Sequence, residues 1–305
     1  MELSEFEFKR ERRVGEFVQD FINLLKIIWG HLTRELLRML IGPLCLMLLV
    51  GYYISTQLNL NADYSSGEIV DMLITLGLAA LCMLIIGVLA FGFTIEYFIL
   101  LRDRRDLAFS YKDIWVAFKS QSSKYFRFLL GSVVVGVILL IPIGFVVFIS
   151  ALIPFVGSIA VGIVFAILGL WFFTAFMLYR ENYYDLFDTY TSAFSMLKEK
   201  IAEYGLASYV VTFLFRSLMT LMSIVPLIIL GLIAYNYVGF SNDFFETYIG
   251  KILVTFGSTM LTVFFIIYYM LSVISYGIIY ETAKELRFGE DVFEKIHKIG
   301  RRKNV

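Results

Sequence analysis

The chain has 305 residues, of which 59% are hydrophobic and only 17% are charged, and its formal net charge is zero. Soluble globular proteins carry roughly 25% charged residues, so most of this chain must lie in lipid. The composition excludes a secreted enzyme, a nucleic-acid-binding protein and a disordered scaffold.

Six apolar stretches are long enough to cross a membrane as helices, since a spanning helix needs about 20 predominantly apolar residues. They cover residues 39–58, 69–101, 128–150, 155–179, 217–238 and 252–280. The second and the sixth exceed a hydrocarbon core of ~30 Å, so they must tilt or project beyond it. We predict an all-α polytopic fold that forms one membrane domain over 1–305, with an N-terminal segment 1–38, a six-span bundle 39–280 and a basic tail 281–305.

Lysine and arginine are distributed unevenly between the two sides of these spans. Of the 26 such residues, 24 lie in the N-terminal segment, in the loops after the second and fourth spans, and in the C-terminal tail. The loops after the first, third and fifth spans contain only Lys251. The positive-inside rule therefore predicts that both termini are cytoplasmic, as in a multi-pass protein of the bacterial inner membrane.

Labelling of single cysteines tests this orientation, once Cys45 and Cys82 have been replaced. We expect a cysteine at Ser65, after the first span, to react with a membrane-impermeant thiol reagent added outside intact cells. A cysteine at Ser122, before the third span, is expected not to react. The opposite pattern would contradict the predicted topology.

An amphipathic stretch precedes each odd-numbered span. Apolar side chains recur at helical spacing over 17–32, 114–125 and 186–201, and charged residues occupy the other positions. Aromatic-rich stripes of this kind predict helices that lie in the cytoplasmic membrane interface. Each stretch leads into a span with one proline and then into a return span, so we predict a threefold repeat of a two-span unit.

Few ionisable residues lie within the spans, and such residues are functional candidates by default. Asp71 lies near the outer end of the second span, Glu96 near its inner end, and Arg216 near the inner boundary of the fifth. Glu96 and Arg216 have similar depths, which allows a pair between them that is either a substrate or ion site or purely structural. Hydroxyl groups between Ser258 and Tyr276 indicate either a hydrophilic cleft or interhelical hydrogen bonds.

Two basic clusters are candidates for binding anionic lipid headgroups. They are Arg102, Arg104 and Arg105 after the second span, and Arg301, Arg302 and Lys303 in the tail. The positive-inside rule alone would also place basic clusters at these positions, without any lipid-binding role. The chain has only two histidines and no metal-binding or catalytic motif, so no catalytic residue, metal or cofactor is expected.

A family resemblance rests on two segments that each lead into a proline-containing span: Asp113-Ile-Trp-Val-Ala-Phe-Lys119 and Asp185-Leu-Phe-x-x-Tyr190-x-x-Ala193-Phe194. The chain resembles, over 10–285, the six-span membrane domain attached to some glycerophosphodiester phosphodiesterases and its stand-alone bacterial relatives. In the fused proteins, hydrolysis belongs to a separate barrel of roughly 200 residues or more. The longest non-spanning segment here has 38 residues, so the resemblance implies no hydrolase activity. It implies membrane or cytoplasmic protein partners, among them an ATPase system of the MoxR type.

These observations favour a non-enzymatic integral membrane scaffold or accessory subunit that organises partner proteins or anionic lipid at the cytoplasmic face. The alternative is a small-molecule or lipid transporter with a cavity between the repeats. A polar cavity that contains Glu96 and Arg216 would favour the transporter, and tightly packed repeats would favour the scaffold. An intramembrane enzyme ranks third, because no paired carboxylates, Ser-His pair or metal cluster lies at membrane depth.

Overall fold

The structure is a computed structural model that describes residue 3 and residues 6–57, 66–153, 156–238 and 247–289. Over these residues the chain forms helices and no β-strand. In chain order the helices are α1 (Val14–Gln57), α2 (Ser66–Arg104), α3 (Tyr111–Ala151), α4 (Val156–Arg180), α5 (Asp188–Leu197), α6 (Ile201–Val238) and α7 (Tyr248–Phe288), with a 3-10 turn at Lys198–Lys200. Ser65 and the basic cluster at 301–303 lie outside the described residues.

The prediction of an all-helical, multi-pass membrane protein is confirmed, because six helical stretches are long and apolar enough to cross a membrane. The six predicted spans fall on α1, α2, α3, α4, α6 and α7. A helix satisfies every backbone hydrogen bond within one segment, which hydrocarbon requires. The spans also carry large exposed apolar side chains such as Ile141, which is 83% exposed and suits contact with lipid tails.

Five of these helices are much longer than their apolar spans. They have 38 to 44 residues, which corresponds to about 57–66 Å at 1.5 Å per residue. A ~30 Å hydrocarbon core would hold such a helix only at a tilt of about 60°, well beyond the usual range of 0–40°. Parts of these helices must therefore extend beyond the hydrocarbon.

The amphipathic stretches differ from the prediction in two ways. Those at 17–32 and 114–125 are the first turns of α1 and α3 and continue into the spans, and only the third forms a separate helix, α5. The apolar stripe of α1 is also turned toward protein, since Phe17, Phe21 and Ile28 are buried. Packing against neighbouring segments occupies the face that was expected to lie on lipid. The threefold repeat stays a prediction.

The chain divides into two compact units. The first contains residues 1–31, 95–213 and 271–305, and the second contains 32–94 and 214–270. Nearly all lysines and arginines belong to the first unit, and the exceptions are Arg34, Arg38, Arg216 and Lys251. The first unit therefore holds most of the positive charge on which the predicted orientation rests.

Close helix packing in the first unit depends on glycine. A Cβ atom added to Gly277 of α7 would lie 2.6 Å from the ring of Phe98 on α2, and one added to Gly162 of α4 would lie 2.3 Å from the ring of Tyr209 on α6. Real Cβ contacts are essentially never this short, so a larger side chain at either position would displace the neighbouring aromatic ring or the helix that carries it. Gly162 and Gly277 therefore lie on helix-packing surfaces.

Within the first unit, the segment before α1 packs against α2 and α7. Phe6 is only 1% exposed, and the Phe8 ring contacts the Phe98 ring at a centroid distance of 5.9 Å. The Thr282 hydroxyl of α7 donates a hydrogen bond to the Arg10 carbonyl at 3.0 Å. The N-terminal segment thus adds buried aromatic surface to this unit, which its high charge did not predict.

The second unit has a sparser interior. The Ser55 and Thr255 hydroxyls of α1 and α7 lie 3.4 Å apart, and the Gly51 position faces the Thr255 methyl group. Leu49 and Ile74 are among its many exposed apolar side chains. A small-residue contact between helices and an apolar exterior is the arrangement expected of helices in lipid.

Candidate functional site

Six charged side chains lie together where α2, α4 and α7 end. They are Glu96 and Arg102 in the last turns of α2, Arg180 and Glu181 at the end of α4, and Glu281 and Lys284 in the last turns of α7. We call this group the ionic cluster. It contains three acidic and three basic residues, so its formal charges cancel.

Arg102 joins the three helix ends. One of its terminal nitrogens, Nη1, lies 2.6 Å from Glu181 Oε1 and 2.6 Å from Glu281 Oε1. Its Nε donates to the neighbouring Asp103 at 2.8 Å. The Glu281 side chain is 1% exposed, so Arg102 compensates a carboxylate that water hardly reaches. Buried carboxylates need such a partner because desolvation of an unpaired charge is costly.

Glu181 uses both carboxylate oxygens. Its Oε1 accepts from Arg102, and its Oε2 accepts from Lys284 Nζ at 2.8 Å and from the Tyr280 hydroxyl at 2.9 Å. Burial raises the pKa of Glu181, but the charges of Arg102 and Lys284 lower it by more, so this pKa lies below its usual value of 4.5. Glu181 is therefore held in its ionised form.

This lowered pKa makes stability depend on pH. Below a pH of about 4.5 the unfolded chain protonates Glu181 before the folded protein does, so the contribution of Glu181 to stability is complete above that pH and is lost as pH falls through the folded-state pKa. We expect the apparent melting temperature in detergent to fall more between pH 6 and pH 3 in the wild type than in Glu181→Gln. Parallel pH profiles would contradict this assignment.

Glu96 is the most fully enclosed member of the ionic cluster, at 0% exposure. Arg180 donates to both of its oxygens, from Nε at 2.9 Å and from Nη2 at 2.6 Å. The Tyr125 hydroxyl of α3 adds a third hydrogen bond at 2.7 Å. A two-point guanidinium–carboxylate pair is the strongest of the common ion-pair geometries, and here it fixes α2 against α4.

Glu96 does not form the pair with Arg216 that their similar depth allows. Arg180 occupies both oxygens of Glu96, and Arg216 is exposed on α6. Similar depth in the membrane does not determine which side chains meet, because that also depends on which helices are neighbours. Arg180 is the last residue of α4, and its long side chain reaches back along the helix to a carboxylate that lies more than a turn inside α2.

The first basic cluster divides into two kinds of residue. Arg102 is paired with carboxylates, so its assignment as a lipid headgroup ligand is corrected. Arg104 and Arg105 are exposed and stay candidates for headgroup binding. Arg105 has a positive φ of 54°, which turns the chain sharply away from the end of α2.

The remaining intramembrane candidates do not join the ionic cluster. Asp71 is exposed near the start of α2. Hydroxyls of the sixth span mostly bond to their own helix, as Thr259 does to the Thr255 carbonyl at 2.9 Å and Thr262 does to the Ser258 carbonyl at 3.0 Å. Such local bonds satisfy a hydroxyl in lipid without requiring a hydrophilic cleft.

His31 has a buried position that its charged sequence neighbourhood did not indicate. Its Nε2 donates to the Phe109 carbonyl at 2.9 Å, and its Nδ1 lies 3.1 Å from the Tyr97 hydroxyl. A carbonyl can only accept, so in the neutral ring Nε2 carries the proton and Nδ1 accepts from Tyr97. The sequence signal for the burial of His31 is its helical spacing, since it follows the buried Ile28 by three residues.

The residues that sequence reasoning missed are Arg180, Glu181, Glu281 and Lys284. The polar ends of the second, fourth and sixth spans carried a signal, because each places an acidic residue at a boundary rich in cations. Their partners could not be read from the chain, since the pairs join residues 79 to 179 positions apart. Within the described ranges, no three His, Cys, Asp or Glu side chains are grouped so as to hold a metal ion.

No protein-family model, curated protein or solved structure matches the chain. The resemblance to the membrane domain of glycerophosphodiester phosphodiesterases therefore stays a prediction.

Proposed function

We propose that this protein is a non-enzymatic integral membrane scaffold or accessory subunit of the bacterial inner membrane. Both termini would lie in the cytoplasm, and the protein would organise partner proteins or anionic lipid at that face. The observation that carries this proposal is the ionic cluster, in which six charged side chains at three helix ends neutralise one another. Mutual pairing suits a rigid support better than a reactive or ion-conducting site, where a charge must remain available.

The first unit has an exposed surface to which partners can bind. On α3, Lys112, Trp115, Val116 and Lys119 are exposed and share one face of the helix. Exposed aromatic and aliphatic side chains between lysines suit contact with an acidic protein surface or with anionic headgroups. The opposite face of this helix is buried, through residues such as Ile114 and Phe118, so the lysine face is held in a fixed direction.

Affinity purification tests the proposal. The tagged full-length protein is isolated from its native membrane in mild detergent, and co-purifying proteins and lipids are quantified by mass spectrometry. We expect a partner protein or an anionic lipid at stoichiometric amount, which Lys112→Glu/Lys119→Glu removes. The matched control, Arg13→Glu/Lys198→Glu, reverses two exposed charges elsewhere on the first unit and is expected to retain it.

A protein that purifies alone, without stoichiometric partner or anionic lipid, would overturn the scaffold proposal. That result would instead favour the transporter alternative. Flux assays on Glu96 and Arg216 variants would then be the next measurement. An ATPase of the MoxR type among the stoichiometric partners would support the assembly that the family resemblance implies.

A further inference from the structure

A cavity of about 250 Å³ lies between α5 and the ends of α4 and α7. Its polar lining consists of Tyr184, Thr191, Ser192, Ser195 and Arg287. We call it the α5 pocket. The three hydroxyl residues of α5 share one side of that helix, because Ser195 follows Thr191 by four residues and Ser192 by three.

The polar side chains of the α5 pocket have no hydrogen-bond or ion-pair partner among the residues that the structure describes. Hydroxyls nearby behave differently: Thr189, also on α5, donates to the Leu186 carbonyl at 2.7 Å. Arg287 likewise contrasts with Arg102 and Arg180, which are paired with carboxylates. Tyr184, Thr191 and Arg287 are exposed and Ser192 and Ser195 are half-buried, so water solvates these groups in the free protein and their donors are available to a ligand that enters the cavity.

We propose that the α5 pocket binds a phosphate group, either as a soluble phosphate or as the headgroup of a phospholipid. A guanidinium donates two parallel hydrogen bonds to phosphate oxygens and supplies the positive charge. Three hydroxyls and a phenol add four further donors. Together these six hydrogen-bond donors are more than the two oxygens of a carboxylate use, and they suit the tetrahedrally arranged oxygens of a phosphate group. Among the described residues that form the lining, Arg287 is the only charged one, which matches a ligand with about one negative charge.

The size of the α5 pocket agrees with this ligand. A volume of 250 Å³ corresponds to roughly eight water molecules at about 30 Å³ each. It is slightly smaller than the range of about 300–1,000 Å³ typical of pockets for drug-sized ligands. A phosphate group with a short substituent fits, whereas a large cofactor does not.

The ionic cluster helps to hold the wall of the α5 pocket. Phe288 in the lining stacks on Tyr183 with ring centroids 5.2 Å apart. Lys284 lies 4.9 Å from the centre of the Tyr183 ring and pairs with Glu181. The end of α7 and the turn after α4 are therefore tied together, which preorganises the pocket for its ligand. This inference goes beyond the proposed scaffold role, because the pocket would bind phosphate equally in a transporter.

Two binding measurements on the purified full-length protein test the inference and separate the ligand sources. In phosphate-free detergent buffer, inorganic phosphate is titrated by isothermal calorimetry. In parallel, delipidated protein is incubated with phosphatidylglycerol and examined by native mass spectrometry. We expect one phosphate group per chain in at least one arm. Binding in the calorimetric arm alone assigns a soluble phosphate, and binding in the lipid arm alone assigns a headgroup.

Variants connect this binding to the α5 pocket. Arg287→Gln, and separately the triple variant Thr191→Ala/Ser192→Ala/Ser195→Ala, are expected to weaken binding roughly ten- to a hundredfold, since each removes hydrogen bonds to a charged ligand. Arg287→Lys keeps the charge and is expected to retain part of the affinity. The matched controls, Arg127→Gln and Ser120→Ala/Ser122→Ala/Ser123→Ala, alter exposed residues of α3 and are expected to leave binding unchanged.

Absence of binding in both arms would overturn the inference, as would binding that survives both pocket variants or falls equally in the controls. Unchanged melting temperatures are expected for the pocket variants, because the substituted side chains have no partners in the part of the chain that the structure describes, and they verify folding. The test of the scaffold proposal alters Lys112 and Lys119, on a different helix, so failure of one proposal leaves the other standing.

Discussion

Replacing Arg102 with glutamine is expected to lower the free energy of unfolding by about 3–5 kcal/mol, the usual result of removing one partner from a buried ion pair. The substitution leaves Glu281, whose side chain is 1% exposed, without its cationic partner. Glu181 keeps Lys284 and Tyr280, so most of the cost arises at Glu281. The measurement is equilibrium unfolding in mixed detergent micelles, with thermal stability as an independent readout.

Two companion variants show whether the effect comes from the buried charge. Arg104→Gln removes an exposed arginine two residues further along α2 and is expected to change stability by at most about 0.5 kcal/mol. Arg102→Met combined with Glu281→Gln removes both charges and is expected to recover most of the loss, because no uncompensated charge remains. Equal destabilisation by Arg102→Gln and Arg104→Gln would show that the ionic cluster contributes nothing specific.

Removal of Arg180 is expected to have a comparable effect, also about 3–5 kcal/mol, because Glu96 is fully enclosed and loses two hydrogen bonds and its counter-charge. The Tyr125 hydroxyl continues to donate to Glu96 but carries no positive charge. In Arg180→Gln the bonds that fix α2 to α4 are therefore weakened and the carboxylate is left uncompensated. Glu96→Gln in the same chain is expected to restore much of the stability.

A double-mutant cycle distinguishes the pair seen in the structure from the pair that similar depth allows. The coupling energy between Glu96→Gln and Arg180→Gln is expected to reach about 3 kcal/mol, the upper end for residues in direct contact. The cycle of Glu96→Gln with Arg216→Gln should be additive to within about 0.5 kcal/mol, as for residues without shared partners. A large coupling with Arg216 and none with Arg180 would contradict the assignment of the ion pair.

These results would bear on function as well as on stability. If the ionic cluster is structural, variants that restore stability, such as Arg102→Met with Glu281→Gln, should also restore partner or lipid binding by the first unit. If the charges themselves took part in transport, flux would stay low in the stabilised double variants. The pairing of Glu96 with Arg180 therefore offers a way to separate a supporting role from an ion-handling one.

The sequence could predict the helical spans because each is specified locally. About 20 consecutive apolar residues can satisfy their backbone in lipid only as a helix, whatever else the chain does. The predicted spans accordingly fall on six observed helices. The excess of lysine and arginine at one set of helix ends was equally visible, since it requires only a count of residues.

For the stripe of aromatic residues before the first span, local spacing determines the helix but not its surroundings. Its spacing identified a helix with one apolar face, and α1 confirms the helix. Spacing does not say what covers that face, and lipid and protein are both apolar enough to do so. Phe17, Phe21 and Ile28 are covered by protein, a result that depends on segments distant in the chain.

Local sequence is sufficient to specify the helices, their apolar spans and the positions of the few charges near membrane depth. Tertiary packing is needed to specify that Glu96 pairs with Arg180 rather than Arg216, that Arg102 joins Glu181 and Glu281, and that polar groups meet in the α5 pocket. Hydrocarbon dictates secondary structure segment by segment, whereas an ion pair depends on which helices are neighbours and how each is rotated. Neither quantity is fixed by the hydropathy of a single segment.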